Sequence, residues 1–173
     1  MPSEFYYPLP QPHELSEREK EDAMGAYLMM FASLAASLPL PVINLIAAVV
    51  YYYVNRKKSR FIHFNCLQSL LSQLPTTLVN WILLYWALQI FFFENYEVND
   101  YFYAYLGFSV LANLIYFVYS IVAVVRARKG VFMYFILFGP YAYQQVYSKK
   151  NILNYENEDH QLEVEQKVNK PPV

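Results

Sequence analysis

Four long stretches of this chain contain no Asp, Glu, Lys or Arg at all: residues 23–55, 61–93, 101–125 and 130–148. A helix on the surface of a soluble protein keeps a wet face and carries charge every turn or two. About 20 consecutive apolar residues are what a ~30 Å hydrocarbon core asks of a spanning helix. The chain average conceals the pattern, because mean hydropathy is only +0.16. The charges are segregated between the apolar stretches. The aromatic load of 18 Tyr, 13 Phe and 2 Trp fits the same environment, since Tyr and Trp favour membrane interfaces. The expected fold is all-α, a polytopic helical membrane protein in a single domain.

Punctuation within the stretches predicts four membrane helices. Residues 1–15 hold four prolines and no periodicity, and read as an extended leader. The stretch before the first apolar run is acidic rather than basic, which is not the pattern of a signal peptide. Ser16 followed by Glu19 has capping-box spacing, so a helix is expected to start there and run through residues 23–38. Pro39-Leu40-Pro41 breaks it, and a second short segment follows over residues 42–54. Residues 61–93 would make one helix of roughly 50 Å, longer than a crossing needs. Pro75 is expected to divide it into a shallow entrance, 61–74, and a crossing segment, 76–93. Residues 101–125 cross back. Residues 130–148, interrupted by Gly139-Pro140 and flanked by bases at both ends, are expected to be interfacial or re-entrant. The membrane domain thus covers 16–148, and 149–173 reads as a mobile polar tail.

Orientation follows from the bases. Arg56, Lys57, Lys58, Arg60, Arg126, Arg128 and Lys129 hold seven of the thirteen positive charges and flank the apolar stretches. Residues 94–100, between them, carry three carboxylates and no base. The positive-inside rule places both basic turns in the cytoplasm, and with them both termini, in a cell inner (cytoplasmic) membrane.

The interior offers amides and hydroxyls instead of charges. Asn65, Ser69, Gln73, Thr76 and Asn80 fall at i, i+4, i+8, i+11 and i+15, one stripe of a helix, with Gln68 beside them. Ser109, Asn113 and Ser120 repeat the pattern, with Tyr116 between them, and Asn44 follows the proline turn. Such groups do not face lipid cheaply. Two readings stand: hydrogen bonding between packed helices, or the lining of a small conduit or carrier.

No reaction is legible. His63 and Cys66 are spaced to share a helical face, but a zinc site needs three or four ligands. The other histidines, His13 and His160, lie in the polar terminal segments. A nucleophilic Cys–His pair would want an orienting third group. Four glycines leave little scope for a nucleotide loop. No enzyme, catalytic residue, metal or cofactor is expected, and near-zero net charge points to no nucleic-acid partner. The partners expected are the lipid bilayer and other membrane subunits, or further copies of the chain.

The proline turn with Asn44, the turn leading into "SRFIHFNCLQSLL", and "IVAVVRARKG" before an aromatic stretch together resemble a known family. It comprises small bacterial membrane proteins related to the twenty-kilodalton subunit of the chloroplast inner-envelope protein-import translocon. The resemblance covers roughly residues 23–147. The chain departs from it at Asn65, where a histidine is usual, and at Ile136, where a proline is expected. The resemblance implies a four-helix membrane fold and a non-enzymatic part in a membrane assembly, in protein translocation or insertion, with no catalytic residues.

Overall fold

Ser16 caps the first helix, α1 (Glu17–Leu28): its Oγ accepts from the Glu19 amide, and the Glu19 carboxylate accepts from the Ser16 amide at 3.0 Å. This reciprocal pair is the capping box its spacing predicts. The computed structural model describes residues 6–32, 41–92, 98–150, 155, 169 and 171–172, and these form five α-helices. After α1 and a single 3-10 turn (Met29–Phe31) come α2 (Pro41–Asn55), α3 (Arg60–Phe92), α4 (Asp100–Arg128) and α5 (Phe138–Tyr147). Pro39 and Leu40 of the expected proline turn lie outside the described residues. Pro41 opens α2, where its missing N–H removes no intrahelical bond.

Among the described residues two helices, α3 and α4, are long and apolar enough to cross a membrane. Four spans are not shown. The twelve residues of α1 rise only about 18 Å and begin in charge, and the fifteen of α2 rise about 22 Å. The small residues Ala23 and Ala26 are buried against protein. Residues 33–38 of the first expected segment lie outside the described residues, and on α2 Ile46, Val50 and Val54 are exposed.

Pro75 does not divide the third segment. α3 runs unbroken through it over 33 residues. Nearby hydroxyls bond back to the helix backbone, Ser72 Oγ donating to the Ser69 carbonyl at 2.8 Å and Thr76 Oγ1 to the Ser72 carbonyl at 3.3 Å, but neither reaches the Leu71 carbonyl that Pro75 leaves without its usual donor. The division survives in the surroundings. Residues 60–66 are buried by neighbouring elements, whereas Leu78, Tyr85 and Phe92 stand out from the fold. α4 runs back antiparallel, with Trp86 edge-on to Phe102 and the Tyr105 hydroxyl donating to the Val79 carbonyl at 3.0 Å.

The core sits where α3 begins and α4 ends. Phe132 meets Phe61 and Phe64, both at 5.0 Å between ring centres, with Tyr27, Ala123, Val146 and Tyr147 packed around them. α4 stops at Gly130, whose φ of +70° suits the left-handed position after a helix. The amides of Gly130 and Val131 return to the carbonyls of Ala127 and Arg126, the paired bonds of a Schellman end. α5, about 15 Å long, is too short to span and lies against α3. Gly139 permits that approach, since a Cβ there would stand 3.0 Å from Gln68 Oε1 on α3 and 2.7 Å from the Tyr134 Cα in the preceding loop.

Both ends of the chain meet this core. The Tyr7 amide donates to the Tyr147 carbonyl at 2.8 Å. Asn169 is buried: its Nδ2 donates to the carbonyls of Pro10 and Gly130, and its Oδ1 accepts from the Phe132 amide at 3.0 Å.

Candidate functional site

The polar stripe of α3 turns inward, and its upper half is tied to α1 and to the segment before α5. Gln68 is fully buried. Its Nε2 donates to the Tyr27 hydroxyl at 2.7 Å and to the Met133 carbonyl at 2.9 Å, and its Oε1 accepts from the Phe135 amide at 3.1 Å. Tyr27 in turn donates to Asn65 Oδ1 at 3.0 Å, and Asn65 Nδ2 donates to the Phe61 carbonyl. Ser69 Oγ reaches the Ala26 carbonyl at 2.7 Å. One helix thus holds α1 and the segment before α5 by side chains that are each satisfied, which a low-dielectric interior demands.

Further along, α3 meets α4 through a symmetric pair. Asn80 and Asn113 donate to each other's side-chain oxygens at 3.0 and 2.7 Å, and Asn113 also donates to the Ser109 carbonyl. Above this pair opens a cleft of about 300 Å³, lined by Asn44, Gln73, Thr76, Thr77, Asn80, Asn113 and Tyr116 with Met30, Phe31 and Phe117. Ser109 and Ser120 are buried on α4. The structure therefore gathers Asn65, Gln68 and Ser69 into one knot. It gathers Asn44, Gln73, Thr76, Asn80 and Asn113 around one cleft.

His63 and Cys66 both lie near Tyr52 but in different chemical settings. The two ring nitrogens of His63 meet tyrosine hydroxyls, Nε2 with Tyr52 at 3.2 Å and Nδ1 with Tyr155 at 2.8 Å. The Cys66 thiol is buried with Ala26 and Ile62. Among the described residues no three His, Cys, Asp or Glu side chains converge.

The basic turns meet the acidic face of α1. Lys58 pairs with Asp22 at 2.8 Å, and Arg128 pairs with Glu17 at 2.8 Å and Glu21 at 3.4 Å. Lys20, then Arg128, holds the exposed Glu17 carboxyl below its ordinary range. Arg56 lies over the Tyr53 ring at 4.7 Å. Arg60 is buried, with its guanidinium 3.5 Å from the Tyr7 ring centre and 4.7 Å from that of Tyr155. Lys57, Arg126 and Lys129 are exposed.

Sequence reasoning missed Tyr27, the hydroxyl between Gln68 and Asn65, and Asn169. Tyr27 sits among small and apolar residues with no polar periodicity to mark it. Asn169 lies in a polar tail where an amide carries no signal.

What this interior can do is limited by its neutrality. Amides and hydroxyls fix helices to one another or bind uncharged groups, and none of them offers an acid or a base near neutral pH. The sequence profile of the magnetosome magnetite crystal formation protein family matches residues 20–140, and the chain belongs to that family. The family is one of membrane proteins akin to the twenty-kilodalton translocon subunit, so the resemblance read from the sequence holds at that broader level. No curated protein and no solved structure matches the chain.

Proposed function

We propose that this member of the magnetosome magnetite crystal formation family is a non-catalytic subunit of a membrane assembly. Its part in crystal formation, as the family name has it, is played through the proteins it holds together in the magnetosome membrane. The observation that carries this reading is the contrast between interior and exterior. Inside, Gln68, Asn65 and Ser69 are committed to bonds within the chain. Outside, α3 and α4 present apolar side chains such as Leu78, Tyr85, Val110 and Leu114. Such a face suits lipid and the helices of neighbouring subunits, including further copies of the chain.

A part in protein translocation or insertion is the finer form of this reading, suggested by the broader kinship. One experiment addresses both. The full chain is cross-linked in native membranes, purified in mild detergent and its partners identified. A stoichiometric membrane partner, or a defined oligomer, is the expected result. A lone monomer with no cross-linked partner overturns the reading, and partners outside any translocation machinery remove its finer form.

The orientation that goes with it has both basic turns and both termini on the cytoplasmic face. The pairing of Lys58 and Arg128 with α1 supports it, because it gives the acidic N-terminal flank a reason to lie beside the bases. Val98→Cys in a Cys66→Ser background should label only from the opposite face; labelling from the cytoplasm reverses the assignment.

A further inference from the structure

We propose that the cleft between α2, α3 and α4 is a hydrated binding site for small uncharged molecules bearing hydroxyl groups, and that it excludes ions. Gln73 makes the case. Its side chain is buried, with 2% of its surface exposed, and lines the cleft. The Nε2 donates to Ser69 Oγ at 3.3 Å, while the Oε1 has no hydrogen-bond partner among the described residues. An amide oxygen withdrawn from water and left without a donor is costly, so a donor in the cleft that Gln73 lines would relieve it.

The cleft supplies the complementary group as well. Asn113 spends both Nδ2 hydrogens, one on Asn80 and one on the Ser109 carbonyl. Asn80 spends one on Asn113, which leaves its second for a ligand. Gln73 and Asn80 are seven residues apart on one face of α3, about 10 Å along the axis. A hydroxyl both donates and accepts, so a short file of water molecules or a small polyol satisfies both ends. The volume of about 300 Å³ holds about ten waters at ~30 Å³ each. No Asp, Glu, Lys, Arg or His lines the cleft among the described residues. An ion entering it would leave water without meeting a counter-charge, which a membrane interior penalises heavily.

The test uses the full chain in liposomes, in a Cys66→Ser background, with thiol reactivity as the readout. Thr77→Cys and Thr76→Cys place a thiol in the cleft wall, and Leu114→Cys places one on the exposed apolar face. The reagents are hydroxyethyl methanethiosulfonate, which is neutral, and its trimethylammonium counterpart. Either cleft variant that folds should react with the neutral reagent at least about tenfold faster than Leu114→Cys, and roughly 50-fold more slowly with the cation. Adding Gln73→Leu should lower the neutral rate several-fold. Protection by glycerol assigns the hydroxyl to polyols, and its absence assigns it to water. Cleft thiols as slow as Leu114→Cys mean a dry or lipid-filled space, and equal rates for both reagents mean no ion exclusion; either result overturns the proposal. The readout needs no partner protein, so it stands or falls independently of the assembly reading.

Discussion

Asn80 and Asn113 face each other across α3 and α4 and exchange two hydrogen bonds, at 3.0 and 2.7 Å. Amide pairs between membrane helices contribute ~0.6–2 kcal/mol, because the separated helices also find partners. Asn80→Leu and Asn113→Leu should each destabilise the hairpin by about 1–2 kcal/mol, since each strands the other amide. The double variant should lose less than the sum. A double-mutant cycle on unfolding in mixed micelles checks this, and strict additivity would show that the pair is not coupled.

Gln68 joins α3 to Tyr27 and to the backbone of Met133 and Phe135. Gln68→Leu leaves a buried carbonyl, amide and hydroxyl short of partners and should cost about 2–4 kcal/mol. Tyr27→Phe removes one donor and one acceptor and should cost about 1–2 kcal/mol. Thermal unfolding in detergent ranks the two. Equal losses would place the weight on Tyr27 rather than on Gln68.

Gly139 allows α5 to lie against Tyr134. A Cβ would stand 2.7 Å from the Tyr134 Cα and Cβ and 3.0 Å from Gln68 Oε1, and the backbone atom does not rotate away. Gly139→Ala should therefore cost about 1–3 kcal/mol, the usual range for overpacking. Faster hydrogen exchange at the Phe135 amide should accompany it.

The clamp between α1 and the basic turns should be sensitive to acid and salt. Lys20, then Arg128, holds Glu17 below its ordinary carboxylate value. Its pairing therefore stabilises the fold above that ordinary range and is lost as pH falls through the lowered folded value. Stability measured from pH 7 down to about 3 should decline, with a shallower decline in Glu17→Gln. Salt should weaken the same contacts, since Arg128 and Glu17 are solvent-exposed. An unchanged slope in Glu17→Gln would remove Glu17 from the clamp.

Asn169 holds the tail to the core through Pro10, Gly130 and Phe132. Asn169→Ala removes three side-chain bonds and should expose the last residues to carboxypeptidase. The membrane helices should keep their melting behaviour. Unaltered digestion would mean that Gln11, which also bonds the Asn169 backbone, holds the tail by itself.

Much of the architecture was legible because it rests on local rules. The charge-free runs marked α3 and α4, the capping box marked the start of α1, and the i, i+4 amides marked the buried face of α3. Pro75 misled, because a proline removes a single intrahelical bond and a long membrane helix can run through it. Of the four expected spans, α3 and α4 have the length and apolarity to cross, while part of the first segment lies outside the described residues and α2 is shorter.

The sequence by itself determined where charge is forbidden, hence which helices are apolar and which of their faces are polar; periodicity and desolvation cost depend only on spacing and chemistry. Only the tertiary structure decided what those faces meet. It set Tyr27 between Gln68 and Asn65, gave the basic turns to α1, joined His63 to Tyr52 and Tyr155, and left Gln73 Oε1 without a partner beside a cleft. Each of these joins residues far apart in the chain, and such pairings are fixed by how helices pack rather than by any local pattern.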